Sequence, residues 1–133
     1  MVAMTSIEDE GSCWGMFEVW QPKSIWETCE HTLFDFSPSG ERILAGPAYL
    51  DGFGQGIAAV LDGNGKVLAE WHSRGHAAIL HTIWEDDDHV LVIVFENEQW
   101  AVLRLGVDDG SVEIAVPPVP DNGGEGAFVL PTR

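Results

Sequence analysis

The chain has 133 residues, 45% of them apolar, which is enough for one ordinary domain with a real core and too apolar for a disordered chain. Its formal charge of −16 sets 22 carboxylates against six lysines and arginines. Nucleic acids and anionic membrane surfaces both recruit basic groups, so neither is an expected partner. The acidity reads first as a solvated surface, and second as a preference for neutral or basic partners. The longest apolar stretch, residues 90–95, is far too short to span a bilayer, and residues 1–10 lack the basic start and apolar core of a secretory signal. As it stands the chain is expected to be soluble and cytoplasmic by default.

Strand signals run through the chain and no segment keeps a helical period of 3.6. Residues 1–30 hold three strand-like segments, at 2–8, 14–20 and 24–30. Cys13 and Cys29 flank a hairpin centred near Gln21-Pro22, which places them on adjacent strands, roughly opposite each other. Two readings stand: a disulfide, implying an oxidising compartment for the parent protein, or two small buried thiols.

Residues 31–75 form a complete unit of four strands, at 32–36, 42–49, 57–61 and 66–71. Ser37-Pro38-Ser39-Gly40 makes the first turn, and Asp62-Gly63-Asn64-Gly65 a tight hairpin. Gly46-Pro47 interrupts the second strand and predicts a bulge or bend there. Residues 76–118 repeat the order with strands at 79–84, 89–95, 99–105 and 111–116. Their turns are Glu85-Asp86-Asp87-Asp88, Glu96-Asn97-Glu98 and Asp108-Asp109-Gly110. Phe36 and Trp84 each end a first strand before a polar turn. Residues 119–133 read as a Pro/Gly linker in which Ala127-Phe128-Val129-Leu130 is a candidate closing strand.

The unit recurs most plainly in its last strand: Ile25-Trp26-Glu27-Thr28, Val67-Leu68-Ala69-Glu70 and Val112-Glu113-Ile114-Ala115. Units of that length, each built of four strands, match propeller blades. The segment Phe36-Ser37-Pro38-Ser39-Gly40-Glu41-Arg42-Ile43-Leu44 resembles the first turn of WD-repeat-like and TolB-type β-propeller repeats. The hairpins around Gly63-Asn64 and Asp109-Gly110 resemble the same family, over roughly residues 13–118. The Trp-Asp dipeptide of strict WD repeats is absent, since His72 follows Trp71. The resemblance implies a divergent, bacterial-looking, all-β partial propeller of repeated four-stranded antiparallel blades, and it carries no catalytic residues with it. Fewer than three blades do not close a ring. Either the chain is a piece of a longer protein, or further copies complete it, two chains making a six-bladed ring.

A propeller presents its second-to-third and fourth-to-first loops on one face. The candidate binding residues are therefore Asp51, Phe53 and Gln55 in a glycine-rich loop, Arg74 and His76 in the next, and Glu96 and Glu98 in the third unit. Gly52-x-Gly54-x-Gly56 leads into a strand rather than a helix, so it is no dinucleotide fingerprint. His72, His76, His81 and His89 are read as surface histidines without a local partner, and Asp86-Asp87-Asp88 lacks a calcium-loop pattern. No catalytic set, metal or cofactor is expected. Trp26, Trp71, Trp84 and Trp100 are expected between blades with their N–H groups on backbone partners, and Trp14 and Trp20 on one strand face. The favoured function is a non-catalytic binding or scaffold module for a protein or peptide. The alternative is a propeller-type hydrolase or lyase that uses a bound cation.

Overall fold

A computed structural model describes residues 1–8, 11–18, 20, 21, 23–47, 56–73 and 77–120. Among them are eleven β-strands and no helix, in three antiparallel sheets of sequential strands. The first sheet is β1 (Val2–Glu8), β2 (Gly11–Met16) and β3 (Trp26–Thr28). The second is β4 (His31–Phe36), β5 (Arg42–Pro47), β6 (Ile57–Asp62) and β7 (Val67–His72). The third is β8 (Ala78–Trp84), β9 (His89–Glu96), β10 (Gln99–Gly106) and β11 (Val112–Pro120). None of the sheets closes on itself.

The turns end the strands for local reasons. In the second sheet the Ser37 N–H donates to the Arg42 carbonyl and the Gly40 N–H to the Ser37 carbonyl. The Asp62 carboxylate accepts the N–H groups of Asn64 and Lys66 at 2.8 and 3.0 Å, an Asx-type arrangement that pulls the chain back on itself. Gly65 sits there at φ +85, and a Cβ on it would lie 3.1 Å from the Trp26 ring. Glycine is thus demanded twice, by the backbone and by the neighbouring sheet.

Packing explains why β5, β6 and β9 are almost unbroken apolar runs. The second sheet is covered on both faces, so alternate residues must all be apolar. Ile43, Ala45, Ala59 and Leu61 meet Met16 of the first sheet, with Trp14 and Trp26 packed alongside. Leu44, Ala58 and Val60 point the other way and meet Trp84, Val90, Val92, Leu105 and Val107 of the third. The far side of the third sheet carries Phe95 against Trp100, ring centroids 4.7 Å apart and planes tilted by 50°.

Four expectations change. The bulge falls on β4 between Leu33 and Asp35, not at Gly46-Pro47. Gly46 serves a different end: a Cβ there would stand 2.8 Å from the Phe34 ring, so the glycine makes room for the aromatic. β2 stops at Met16, and Trp20 lies beyond it in a turn at φ +70, 93% exposed, rather than sharing a strand face with Trp14. β3 is only three residues long. β11 runs through Pro117, Pro118 and Pro120, which the sequence assigns to the turn and linker beyond the strand. It lies at the edge of its sheet, where proline removes no ladder bond that a neighbour needs.

Candidate functional site

Two ends of the sheets gather polar chemistry. At the first, the turns leaving β4 and β8 meet directly. The Ser39 N–H donates to Asp87 Oδ1 at 2.8 Å, and the Arg42 guanidinium donates to the Asp87 carbonyl at 2.8 Å. The same guanidinium pairs with Asp88 at 3.2 Å and Asp108 at 2.8 Å. One arginine thus joins the second sheet to two turns of the third. Arg104 plays a smaller version of this role within the third sheet, holding Glu85 at 3.0 Å and Glu113 at 3.4 Å. Arg42 was not among the sequence candidates. The available signal was the scarcity of cations in so acidic a chain, with Arg42 opening a strand after a polar turn.

The Asp86-Asp87-Asp88 turn is a hydrogen-bonded structure rather than an array of free carboxylates. Asp87 is held below the ordinary carboxylate range, chiefly by the Ser39 N–H. Asp109, which accepts the Ser111 N–H at 2.9 Å, is lowered for the same reason. His89 has a local partner after all, since its Nδ1 lies 2.9 Å from Asp86 Oδ1. That hydrogen bond raises the His89 pKa, with the Asp86, Glu85 and Asp88 charges adding to it. For Asp86, burial pushes upward, but the Asp88 N–H and His89 outweigh it and the net direction is down.

The sign of the pH effect follows. The His89 contribution is complete below about pH 6.5, the ordinary histidine value, and fades as pH rises through its raised folded value. The Asp86 contribution is complete above about pH 3.9 and fades as pH falls through its lowered folded value. Both side chains are largely exposed, at 40% and 54%, so the pair contributes at most a few tenths of a kcal/mol to about 1 kcal/mol. Urea midpoints of the wild type and His89→Asn should differ more at about pH 5.5 than at about pH 9. A larger difference at the alkaline pH would contradict the pairing.

Of the residues that the sequence nominates for binding, only Glu96 and Glu98 fall among the described ones. Asp51, Phe53, Gln55, Arg74 and His76 lie outside the described residues. Glu96 and Glu98 are described and exposed, at the β9–β10 hairpin. Glu96 pairs with Gln99 across the ladder, leaving Asn97 and Glu98 as a two-residue turn at φ +52 and +59. Both positive values mark a type I′ turn, whose second position ordinarily favours glycine. Beside it is a notch of about 110 Å³ lined by Val94, Glu96, Asn97, Gln99, Ala101 and Pro118.

At the same end of the second sheet, Glu70 Oε1 stands 3.4 Å from His72 Nε2 and 4.0 Å from that of His31, a histidine only 7% exposed. His72 and His89 therefore engage different carboxylates. Among the described residues no three His, Cys, Asp or Glu side chains are placed to hold a metal ion. Cys13 and Cys29, directly opposite in the continued β2–β3 register, are joined as a disulfide with Cα atoms 4.1 Å apart.

The tryptophans tie the sheets together. Trp26 Nε1 donates to the Gly63 carbonyl at 2.8 Å, Trp71 Nε1 to the Gly110 carbonyl at 3.4 Å and Trp84 Nε1 to the Asp35 carbonyl at 3.3 Å. Each of these bonds crosses from one sheet to the next. Trp100 differs, since its Nε1 is buried and finds no acceptor among the described residues. No helix among the described residues is long and apolar enough to cross a membrane. No family model, curated protein or solved structure matches the chain.

Proposed function

We propose that the chain is a run of β-propeller-type blades, of the divergent WD-repeat-like or TolB-like kind, acting as a non-catalytic scaffold for a protein or peptide. The observation that carries this reading is the recurrence of one joint. An indole from the last strand of one sheet donates to the third-to-fourth hairpin of the next, first Trp26 to Gly63 and then Trp71 to Gly110. A joint used twice in the same direction is how stacked repeats propagate, each unit burying its neighbour's face. The net charge of −16 favours a neutral or basic partner.

The test is a panel of neutral and basic peptides titrated by calorimetry, with and without a chelator. Stoichiometric binding that the chelator leaves unchanged is the expected result. No peptide binding, together with a metal retained stoichiometrically after dialysis against chelator, would overturn it in favour of a cation-using hydrolase or lyase.

A homodimer that completes a six-bladed ring belongs to the same proposal. It rests on the count of strands in the first sheet. β4 and β8 flank β5 and β9, but β1 has a partner on one side only among the described residues. The closing-strand candidate, residues 127–130, lies outside the described residues. Light scattering giving twice the 14.5 kDa of one chain supports the ring, and a clean monomer excludes the two-chain version.

A further inference from the structure

We infer that the notch beside the β9–β10 hairpin receives a lysine or arginine side chain of a bound peptide. The inference rests on the scaffold reading above and specifies what the partner must present. Three features of the notch argue for that occupant. Its less exposed part is apolar, from Val94 and Ala101, Pro118 adds an exposed apolar edge, and its exposed rim is polar, from Glu96, Asn97 and Gln99. A long cationic side chain has the matching division, an apolar stem with a charged, donor-only head. The exposed Glu96 makes no ion pair among the described residues, whereas Arg42 and Arg104 are committed to the carboxylates of Asp88, Asp108, Glu85 and Glu113. The chain has six lysines and arginines against 22 carboxylates, so an external cation is drawn to Glu96 by the overall charge.

The rim is also held in place. Asn97 and Glu98 both occupy left-handed backbone, and a glutamate rather than glycine at the second turn position accepts a conformational cost. Strain of this kind persists where the surroundings over-determine it, and it clusters at binding sites. A two-residue hairpin leaves little slack, so the acceptors of Glu96 and Gln99 are presented in a fixed register. Preorganised acceptors lose little entropy on meeting a ligand.

The probe is acetylated trilysine amide, titrated into the ¹⁵N-labelled full chain at low salt, with trinorleucine amide as the uncharged control. Saturable shifts confined to Val94, Glu96, Asn97, Gln99 and Ala101 are expected with trilysine and not with trinorleucine. Glu96→Gln keeps the size and removes the charge at an exposed position, so the spectrum elsewhere should not move. Its affinity should fall about twofold to fivefold, as for one screened charge pair, and raising the salt should abolish the difference. Shifts centred on Asp86–Asp88 and Asp108, with Glu96→Gln binding as the wild type does, would overturn the notch and leave the scaffold reading standing. Failure of every peptide in the wider panel would overturn both.

Discussion

Replacing Trp84 with alanine should cost roughly 3–5 kcal/mol of folding stability, the range for deleting a large aromatic from a packed core. Trp84 is 1% exposed and is the largest fully buried side chain among the described residues. It packs with Leu44, Ala58 and Val60 of the second sheet and Val90, Val92 and Leu105 of the third, so the void would open on the seam between two sheets. Backbones held by two ladders cannot easily collapse into it, which puts the cost in the upper part of the range. The Asp35 carbonyl would also lose its 3.3 Å donor. Urea unfolding followed by circular dichroism measures the loss. Trp20→Ala is the control: at 93% exposure its removal should change stability by less than about 0.5 kcal/mol. Equal effects from the two substitutions would contradict the assignment of Trp84 to the inter-sheet core.

The second large effect concerns the first sheet. Cys13 and Cys29 are 16 residues apart, and a loop of that length constrains the unfolded chain by about 3 kcal/mol in the chain-entropy account. The first sheet depends on this more than the others would. It has three strands, one only three residues long, and among the described side chains its buried apolar ones are Cys13 and Met16. The double variant Cys13→Ser/Cys29→Ser should therefore lose about 2–4 kcal/mol, and a reductant should do the same to the wild type. The Trp26 and Trp14 contacts should be released before those of Trp84, because they lie on the side that the disulfide secures. Amide hydrogen exchange would report this order. Protection in β2 and β3 that survives reduction unchanged would refute it.

Much of the fold is legible in the chain because its signals are short-range. Alternation of side chains and the turns at Ser37-Pro38-Ser39-Gly40, Asp62-Gly63-Asn64-Gly65 and Asp109-Gly110 end the strands within a few residues of where they are observed. These signals act through neighbouring dihedrals and local hydrogen bonds, such as Asp62 with Asn64 and Lys66. That Cys13 and Cys29 stand opposite each other follows in the same way, from a hairpin whose centre can be counted, whereas the choice of disulfide over two thiols came from the structure. The expectation of backbone partners for the indole N–H groups holds for Trp26, Trp71 and Trp84 and fails for Trp100, whose buried Nε1 has no acceptor among the described residues.

Other features depend on which surfaces meet, and no local pattern carries that. The register shift lies in β4, between Leu33 and Asp35, and the ring of Phe34 between them takes the space a side chain at Gly46 would need, a contact that no local pattern carries. Three prolines stay within β11 because that strand is an edge, a property of its sheet and not of its residues. Arg42 joins Asp87, Asp88 and Asp108 although 45 to 66 positions separate them in the chain. The candidate site divides the same way. Glu96 and Glu98 are visible as turn residues, but the notch that gives Glu96 a use needs Pro118 of β11 beside Val94 of β9 and Ala101 of β10. Charge and periodicity thus set the class of the molecule and the ends of its strands, since both act over a few residues. Contact between sheets set the rest, since it joins residues that only the packed backbone brings within a few ångströms.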